Sequence, residues 1–261
     1  MNNKYINDKG NTLSGSFPSK NPKDIKKKSG ILMAVLPLAA CGGGSSGGGG
    51  AVTVAPPAPP TPDYVESPTN VFVASSNANP TLDKASSTAD ITVTGNNTND
   101  TITTGSGNDT IDAKDGTNII KSGSGTDTIT TGSGADKIRA GEGVDSVSSG
   151  GGNDVIVVVG TTTATQYTNA SITNSAGSGT DLSGLITLAD LNVRTVSEIG
   201  AGETIDGGTG SNTLFIYGTV DLTGVVLTNV TTLYVNSEVT LTLAQIADFT
   251  TIDGDGNSVI N

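Results

Sequence analysis

The sequence between Gly95 and Val157 divides, without a gap, into seven units of nine residues: GNNTNDTIT, TGSGNDTID, AKDGTNIIK, SGSGTDTIT, TGSGADKIR, AGEGVDSVS and SGGGNDVIV. The eighth place of every unit is Ile or Val, from Ile102 to Ile156. The sixth place is Asp in six units and Asn118 in the third. Gly holds the fourth place in six units and the second place in five. This register predicts a repeat architecture in which each unit is one structural module.

The residue types within a unit indicate a turn followed by a strand. Gly at the second and fourth places allows positive φ and close backbone approach, and the last three residues form a short strand whose Ile or Val points inward. Two units then make one coil, so sixth places stack two units apart. We define the first edge as Asp109, Asp127 and Asp145, and the second edge as Asp100, Asn118, Asp136 and Asp154. The sequence therefore predicts an all-β fold, a parallel β-roll or right-handed β-helix solenoid, preceded by a disordered N-terminal signal and linker.

This pattern resembles the G-G-x-G-x-D-x-U-x nonapeptide of the repeats-in-toxin (RTX) family. The resemblance implies several Ca²⁺ ions, held by turn carbonyls and by the sixth-place carboxylates of adjacent coils. Transferred to this chain, the ligand-bearing residues are Asp100, Gly105, Gly107, Asp109, Gly116, Asn118, Gly123, Gly125, Asp127, Gly132, Gly134, Asp136, Gly141, Gly143, Asp145, Gly150, Gly152 and Asp154.

The two edges are expected to bind calcium unequally. The first edge has an unbroken set of carboxylates, whereas the second contains Asn118 in a unit with Lys114 at its second place. That unit is expected to give the weakest site, with Asp115 compensating in part. The unit Gly95–Thr103 lacks the expected glycines and is expected to be a capping coil.

A solenoid without metal, in which the Asp residues only form Asx-turns, is the alternative interpretation. Asx-turns accept Asp and Asn about equally, so the six-to-one preference for Asp favours a role for the charge. Like charges at coil spacing repel each other. We therefore expect the array to be largely disordered until a cation binds.

The composition supports a hard cation and excludes several other classes. The chain has 261 residues, no His, no Trp, one Cys and a net charge of −12. Residues 1–40 hold seven Lys and two Asp, which leaves six basic and 23 acidic groups beyond them. Such an acidic surface repels phosphate backbones, so we expect no nucleic-acid binding. A structural zinc site lacks its ligands, whereas oxygen ligands suit Ca²⁺.

The N-terminal segment has the build of an export signal. Lys26–Lys28 precede a ten-residue apolar run and Cys41, a run too short to span a bilayer. Leu38-Ala39-Ala40-Cys41 resembles the lipobox of bacterial lipoproteins, which implies a signal at 1–40 and a lipid on Cys41. Gly42 implies an outer-membrane, cell-surface location. The basic region before the apolar run is unusually long and contains acidic residues. RTX proteins usually carry a C-terminal secretion signal rather than an N-terminal one. The alternative interpretation is a buried apolar segment with an unmodified Cys.

Residues 41–85 are expected to be a flexible linker because they begin with Gly/Ser and Pro-rich tracts. Within and just after this linker, Val71–Val73 and Ile91–Val93 are candidates for a first strand or cap. The nonapeptide β-roll is assigned to 86–157.

The rest of the chain is expected to contain further β structure. Residues 158–206 are expected to be an irregular β connection, with a strand at Leu182–Leu188 and a short helix or strand at Leu188–Ser197. In 207–261, TLF, TLY and TID recur 19 residues apart, which predicts β-helix coils; chance hairpins are the alternative. The sequence stops at Asn261 as a new coil begins, so either the reading frame is longer or this end packs on a neighbour.

These observations predict a calcium-binding extracellular β-solenoid tethered to the bacterial envelope through Cys41, with a structural, adhesive or surface-layer role. Envelope polysaccharide and self-association are the expected contacts. No constellation of catalytic residues is visible, since there is no His for general base work, and we expect the protein not to be an enzyme. The alternative is an accessory or fragment of a polysaccharide-active enzyme, lyase-like or epimerase-like, whose catalytic part lies elsewhere.

Overall fold

A computed structural model describes residues 5–6, 12–13, 60–163, 167–168, 171–172, 180–254 and 258–261. The chain divides into two units, Met1–Pro56 and Pro57–Asn261. In the first unit, β1 (Tyr5–Ile6) pairs antiparallel with β2 (Thr12–Leu13). The described residues do not include Cys41, nearly all of the predicted export signal, or the linker up to residue 59.

The second unit is built from two sheets of short, almost entirely parallel strands. The eight-stranded sheet consists of β3 (Tyr64–Glu66), β4 (Val71–Ala74), β6 (Thr92–Thr94), β8 (Thr110–Asp112), β10 (Thr128–Thr130), β12 (Ser146–Ser148), β14 (Thr204–Asp206) and β16 (Val226–Thr228). The nine-stranded sheet consists of β5 (Thr81–Asp83), β7 (Thr101–Thr103), β9 (Ile119–Gly125), β11 (Lys137–Gly143), β13 (Val155–Val159), β15 (Thr213–Asp221), β17 (Thr232–Thr240), β18 (Thr251–Gly254) and β19 (Val259–Ile260). From β5 to β17 successive strands alternate between the sheets, so the predicted all-β parallel solenoid is confirmed.

The nine-residue repeat of the sequence determines which residues pair between neighbouring strands. Ile111 lies beside Ile129, and Ile129 beside Val147, so one coil contains two nonapeptides. The eighth-place residues point between the sheets and are at most 3% exposed. Burying an aliphatic side chain of this size contributes about 1.5–3 kcal/mol. The core is therefore a column of Ile and Val side chains, as the pattern predicted.

The solenoid begins earlier than the expected boundary at residue 86. Strands β3–β5 lie in the segment assigned to the linker, and β4 and β5 pair in parallel with β6 and β7. The strand predicted at Val71–Val73 is confirmed. Because β5 and β6 precede Gly95–Thr103, the expectation that this unit is the capping coil is wrong; antiparallel β3 lies at the outer edge instead.

Between β13 and β14 the chain leaves the solenoid, and we call residues 160–203 the insertion. Val147 pairs with Ile205, 58 positions away rather than 18, so 40 residues have been added to one coil. The strand predicted at Leu182–Leu188 and the helix or strand predicted at Leu188–Ser197 are wrong, because this segment consists of turns and bends with one bridge between Thr162 and Arg194.

The insertion packs on the outer face of the nine-stranded sheet. Its Leu182, Leu185 and Ile186 are at most 1% exposed. They form an apolar cluster with outward-facing side chains of β13 and β15, including Val157 and Phe215. These strand positions alternate with the inward ones, so β13 and β15 bury apolar side chains on both faces.

A buried ion-pair network joins the insertion to β11. Arg139 is 7% exposed, and its guanidinium donates from Nε and Nη2 to Glu198, with the Nη2 to Oε1 distance at 2.5 Å. Its Nη1 lies 2.8 Å from Asp190 Oδ1 and donates to the Leu185 carbonyl. Glu198 also accepts from the Val159 N–H at 2.9 Å. The network therefore ties three points of the insertion to the sheet.

The C-terminal coils follow the predicted 19-residue step. Thr213 pairs with Thr232, and Thr232 with Thr251, in parallel register, which excludes hairpins. After β17 the chain forms a short helix, α1 (Leu243–Asp248), closed at its start by a capping box between Thr242 and Gln245. Within the described residues, no helix has the length and apolar character needed to cross a membrane.

Candidate metal centre

The sixth-place side chains lie inside the turns on the two predicted edges. On both edges every sixth-place residue from Asp100 to Asp154 is at most 3% exposed. One turn precedes each strand of the eight-stranded sheet and carries the first edge; the other precedes the nine-stranded sheet and carries the second. The structure thus brings together the residues that the 18-residue coil predicted would stack.

Except at Asp100, one oxygen of each sixth-place side chain accepts a backbone N–H of the preceding coil. On the first edge, the Ile91 N–H donates to Asp109 Oδ1 at 2.8 Å, and the Asp109 N–H donates to Asp127 Oδ1 at 2.8 Å. The Asp127 N–H donates to Asp145 Oδ1 at 2.9 Å. The second edge repeats this ladder through Asn118, Asp136, Asp154 and Asn212. At these levels Oδ1 therefore links successive coils.

The other carboxyl oxygen has no such partner. Within the described part of the chain, the buried Oδ2 atoms of five aspartates lack a hydrogen bond: Asp109, Asp127, Asp136, Asp145 and Asp154. The Thr104 hydroxyl lies near the Asp109 carboxyl, but its single proton is donated to the Ser122 carbonyl at 2.8 Å. Buried polar atoms normally have partners, so these five oxygens point to a missing cation or proton.

Burial makes these carboxyls resist ionisation. Desolvation raises the pKa of Asp136 to about 6 and the pKa of Asp145 to about 7, and for Asp145 the nearby charges of Asp127 and Glu198 add to the rise. The pKa values of Asp109, Asp127 and Asp154 are also raised, again mainly by burial. A bound cation would reverse this effect by favouring the carboxylate form.

The side chain of Asn118 shows which backbone groups lie next to a sixth-place side chain. Its Oδ1 accepts the Asp100 N–H as an aspartate would. Its Nδ2 donates to the carbonyl oxygens of Lys114, at 3.1 Å, and Gly116, at 3.4 Å, which are the second and fourth places of its own turn. The Asn118 amide therefore places an N–H donor next to two carbonyl oxygens, where an aspartate would place a carboxyl oxygen.

Asn212 repeats this arrangement outside the nonapeptide array. Its Nδ2 donates to the Gly207 carbonyl of its own turn and, at 3.0 Å, to the Asn229 carbonyl of the next coil. An amide nitrogen therefore bridges two successive turns. At the five aspartate levels Oδ2 takes the place of this nitrogen, and it has no hydrogen-bond donor.

Asp100 is satisfied in a third way. Its Oδ1 accepts from the buried Tyr64 hydroxyl at 2.9 Å, and its Oδ2 accepts from the Asn96 N–H at 3.2 Å. Burial and the Asp100 charge raise the pKa of Tyr64, which keeps the hydroxyl as the donor. Although the pattern assigned Asp100 to the metal ligands, its two oxygens already have partners.

Asp115 does not face the Asn118 turn. It is exposed, and Oδ1 accepts from the backbone N–H and hydroxyl of Ser133 in the next coil, both at 2.8 Å. Asp115 is therefore placed to support the neighbouring turn rather than to replace a ligand at position 118.

The predicted glycines are required by the close approach of successive turns. A Cβ on Gly141, whose φ is +102°, would lie 1.8 Å from the Gly123 carbonyl oxygen, and one on Gly125 would lie 1.9 Å from that of Gly107. The same contact recurs at Gly123, Gly134, Gly143 and Gly152. Gly105 and Gly132 lack a left-handed φ but also have backbone within 3 Å of a Cβ, as do Gly107, Gly116 and Gly150. The carbonyls are thus stacked at coil spacing next to the carboxyls.

These groups fit a calcium ion that takes most of its ligands from the backbone. No cluster of three or more His, Cys, Asp or Glu side chains occurs among the residues that the structure describes. Each level offers instead one carboxyl oxygen and turn carbonyls, which are the oxygen ligands that Ca²⁺ prefers.

Sequence reasoning missed Glu203, which occupies the sixth place in the coil after Asp145. The register that pairs Ser146 with Thr204 sets Glu203 beside Asp145. Glu203 is 3% exposed, and burial raises its pKa to about 8. The local sequence Glu203-Thr-Ile-Asp206 repeats the Asp109-Thr-Ile-Asp112 pattern, which is the signal that could have revealed it.

The geometry agrees with the comparisons made with known proteins. The family model for the RTX calcium-binding nonapeptide repeat (4 copies) matches residues 94–129 and 121–156, together about a quarter of the chain. No curated protein and no solved structure matches the chain. Residues 94–156 therefore carry RTX calcium-binding nonapeptide repeats, and the structure folds them as part of a parallel β-solenoid.

Proposed function

We propose that this protein is a calcium-dependent extracellular β-solenoid held on the bacterial envelope by a lipid on Cys41, with a structural, adhesive or surface-layer role and no enzymatic activity. The observation that carries the proposal is the set of buried, unpartnered Oδ2 atoms stacked on the two edges. Each of them needs a cation if it is to ionise.

In the proposed sites, Asp109, Asp127 and Asp145 act on the first edge, and Asp136 and Asp154 on the second. The carbonyls of the second-place and fourth-place residues complete each turn. Ca²⁺ accepts six to eight oxygens in flexible geometry, whereas Mg²⁺ demands a near-octahedral set. Turns with fixed carbonyls and one carboxyl oxygen therefore favour Ca²⁺.

The location outside the cell follows from the chemistry of weak sites. Extracellular calcium modules bind with dissociation constants of about 10⁻⁴–10⁻³ M, so such sites are empty where calcium is scarce and filled outside the cell. The RTX repeats and the resemblance of Leu38-Ala39-Ala40-Cys41 to a lipobox both support export. Calcium then acts as a folding switch, and the Pro-rich tract holds the folded part away from the membrane.

The first prediction concerns folding of the full chain. Far-UV circular dichroism is expected to show a gain of β structure when Ca²⁺ is added to chelator-treated protein, and a much smaller gain with the same concentration of Mg²⁺. The reason is that calcium binding removes the repulsion between stacked carboxylates and satisfies the turn carbonyls. Equal β content in the chelator and in calcium would refute metal-driven folding.

A second prediction concerns pH. Because burial raises the aspartate pKa values in the metal-free fold, the stability contributed by their protonated forms is present below the ordinary pKa of 3.8 and is lost as pH rises through about 6 to 7. The β signal of the metal-free protein in far-UV circular dichroism should therefore fall between pH 5 and pH 8. In saturating calcium it should rise over the same range, since protons compete with the ion. Parallel trends in the two conditions would contradict the sites.

A second function is favoured by one cleft. Lys121, Arg139 and Arg194 line a cavity of about 420 Å³ together with Glu142, Asp190 and Glu198, between the insertion and residues 85–88. Arg139 and Arg194 are paired with these carboxylates, whereas Lys121 is in none of the described ion pairs and is free to attract an acidic polysaccharide. An accessory role on such a polymer is therefore the alternative. Affinity electrophoresis of the calcium-loaded chain in an alginate-type or pectate-type gel tests it, with Lys121→Ala as the variant. Unretarded migration of the wild-type chain would exclude this role.

A further inference from the structure

The first edge continues beyond the nonapeptide array into the end of the insertion. The Thr204 N–H donates to the Asp145 carbonyl at 3.0 Å, so Glu203 enters the coil directly after Asp145. The sixth places before and after this run are apolar: Ile91 precedes Asp109 in register, and Val225 follows Glu203. Four acidic residues are thus enclosed between two apolar ones. Glu203 lies outside the residues that match the repeat model.

Glu203 repeats the structural role of the aspartates. The Asp145 backbone N–H lies near the Glu203 carboxyl, in the place where the Asp127 N–H donates to Asp145 Oδ1. The Gly200 N–H donates to Glu203 Oε2 at 2.5 Å. The longer side chain is therefore folded back into its own turn and presents its carboxyl beside the Asp145 level.

A second, independent observation points to a ligand at this level. Asp145 is 3% exposed, and its Oδ2 has no hydrogen-bond partner within the described residues. The equivalent atom of Asn118 is directed at the carbonyls of its own second and fourth places. In the Asp145 turn these places are Gly141 and Gly143. Asp145 Oδ2 is therefore a buried oxygen without a donor, and the register places Glu203 one coil away from it.

The charges around this level do not balance without a cation. Glu198 lies close enough to interact electrostatically with both Asp145 and Glu203. Its own charge is matched by Arg139, at 2.5 Å. Asp145 and Glu203 have no such basic partner among the described ion pairs. Two buried carboxyl groups at adjacent levels, with no basic side chain paired to them, supply oxygen ligands of the kind that Ca²⁺ takes.

We propose that Asp145 and Glu203 hold a further Ca²⁺, whose second carboxylate is supplied by the insertion rather than by a nonapeptide. This proposal rests on the calcium-binding function proposed above. The ion then fixes the returning end of the insertion, residues 198–203, against the array. Asp190, Arg194 and Glu198 form one wall of the cleft described above, so calcium at this site also completes that wall.

The test counts bound ions on the full chain by equilibrium dialysis against calcium. Glu203→Gln is expected to bind one ion fewer than the wild-type chain, because an amide replaces the carboxylate, as amides do at positions 118 and 212. Glu203→Asp keeps a carboxylate and is expected to keep the wild-type count. Glu238→Gln on β17 removes the same charge from the nine-stranded sheet and is the matched control, expected to change nothing.

Hydrogen exchange supplies a readout that does not depend on a variant. In the wild-type chain, the amides of residues 198–206 are expected to become at least tenfold better protected when calcium is added. An unchanged ion count in Glu203→Gln, or protection of 198–206 that is the same with and without calcium, would overturn the site. If Glu203→Gln does not fold, the Glu203→Asp count decides, and a loss of one ion there overturns it. Binding of no calcium by the wild-type chain would instead refute the proposed function as a whole.

Discussion

Replacing Asp127 with alanine is expected to destabilise the calcium-loaded chain far more than replacing it with asparagine. Alanine removes the acceptor of the buried Asp109 N–H, and an unpaired buried donor costs about 1–3 kcal/mol. It also removes the carboxyl oxygen of one proposed site at the centre of the first edge. The stabilisation that calcium contributes there, which grows with its concentration, is lost as well.

Asparagine at position 127 keeps the acceptor and replaces Oδ2 with a donor. Asn118 and Asn212 show that such an amide reaches the turn carbonyls. Asp127→Asn should therefore fold with fewer bound ions and require less calcium for folding, whereas Asp127→Ala should require more. Calcium titrations followed by circular dichroism, with dialysis to count ions, separate the two. Equal effects of the two substitutions would show that the metal-free turn does not need a donor.

The reverse substitution is the matched control. Asn118→Asp removes the two amide donations to Lys114 and Gly116 and creates a sixth aspartate with an unpartnered oxygen. In chelator it should lower the residual β signal in circular dichroism, and in calcium it should add one ion and strengthen the array. A β signal that falls in both conditions would mean that Lys114, whose φ is +65°, prevents this turn from accepting calcium.

The nonapeptide pattern predicted the two-unit coil, the two edges and the buried column of Ile and Val side chains. It could do so because a solenoid repeats one local structure and each repeat contacts only its neighbours. The expected weak site at Asn118 stays a prediction, and the geometry adds its reason: an amide already fills the place. The partner of Asp100 could not be predicted, because Tyr64 lies 36 residues earlier in a segment that Gly, Ser and Pro tracts had assigned to the linker.

The insertion was beyond sequence reasoning because its contacts are neither local nor periodic. Leu182, Leu185 and Ile186 have the spacing of one face of a helical turn rather than the alternation of a strand, which is why the predicted strand at Leu182–Leu188 was wrong. Glu203 was hidden for the same reason, since 40 added residues separate it from the register of Asp145.

Arg139→Met is expected to cost about 3–5 kcal/mol, because it leaves the Glu198 carboxylate buried without its partner. Glu198 is 3% exposed; it accepts hydrogen bonds from Arg139 and the Val159 N–H, and Arg194 lies 3.5 Å away in an ion pair. Burial alone would lower the pKa of Arg139. The charges and hydrogen bonds of Glu198 and Asp190 together have the larger effect and raise the pKa of the guanidinium, so the pair is ionised. Methionine fills a similar volume and isolates the electrostatic effect.

The loss should be concentrated in the insertion. Hydrogen exchange in calcium is expected to increase in residues 180–203 of Arg139→Met while the amides of β7–β10 stay protected, since those strands make no ion pair with the described part of the insertion. Arg194→Met is the matched control and should cost about 1 kcal/mol or less, because its main partner Glu142 is half exposed. The double variant Arg139→Met/Glu198→Gln should recover most of the loss. If it is no more stable than Arg139→Met alone, the buried carboxylate is not the cause, and the packing of the arginine stem against the insertion must account for the effect.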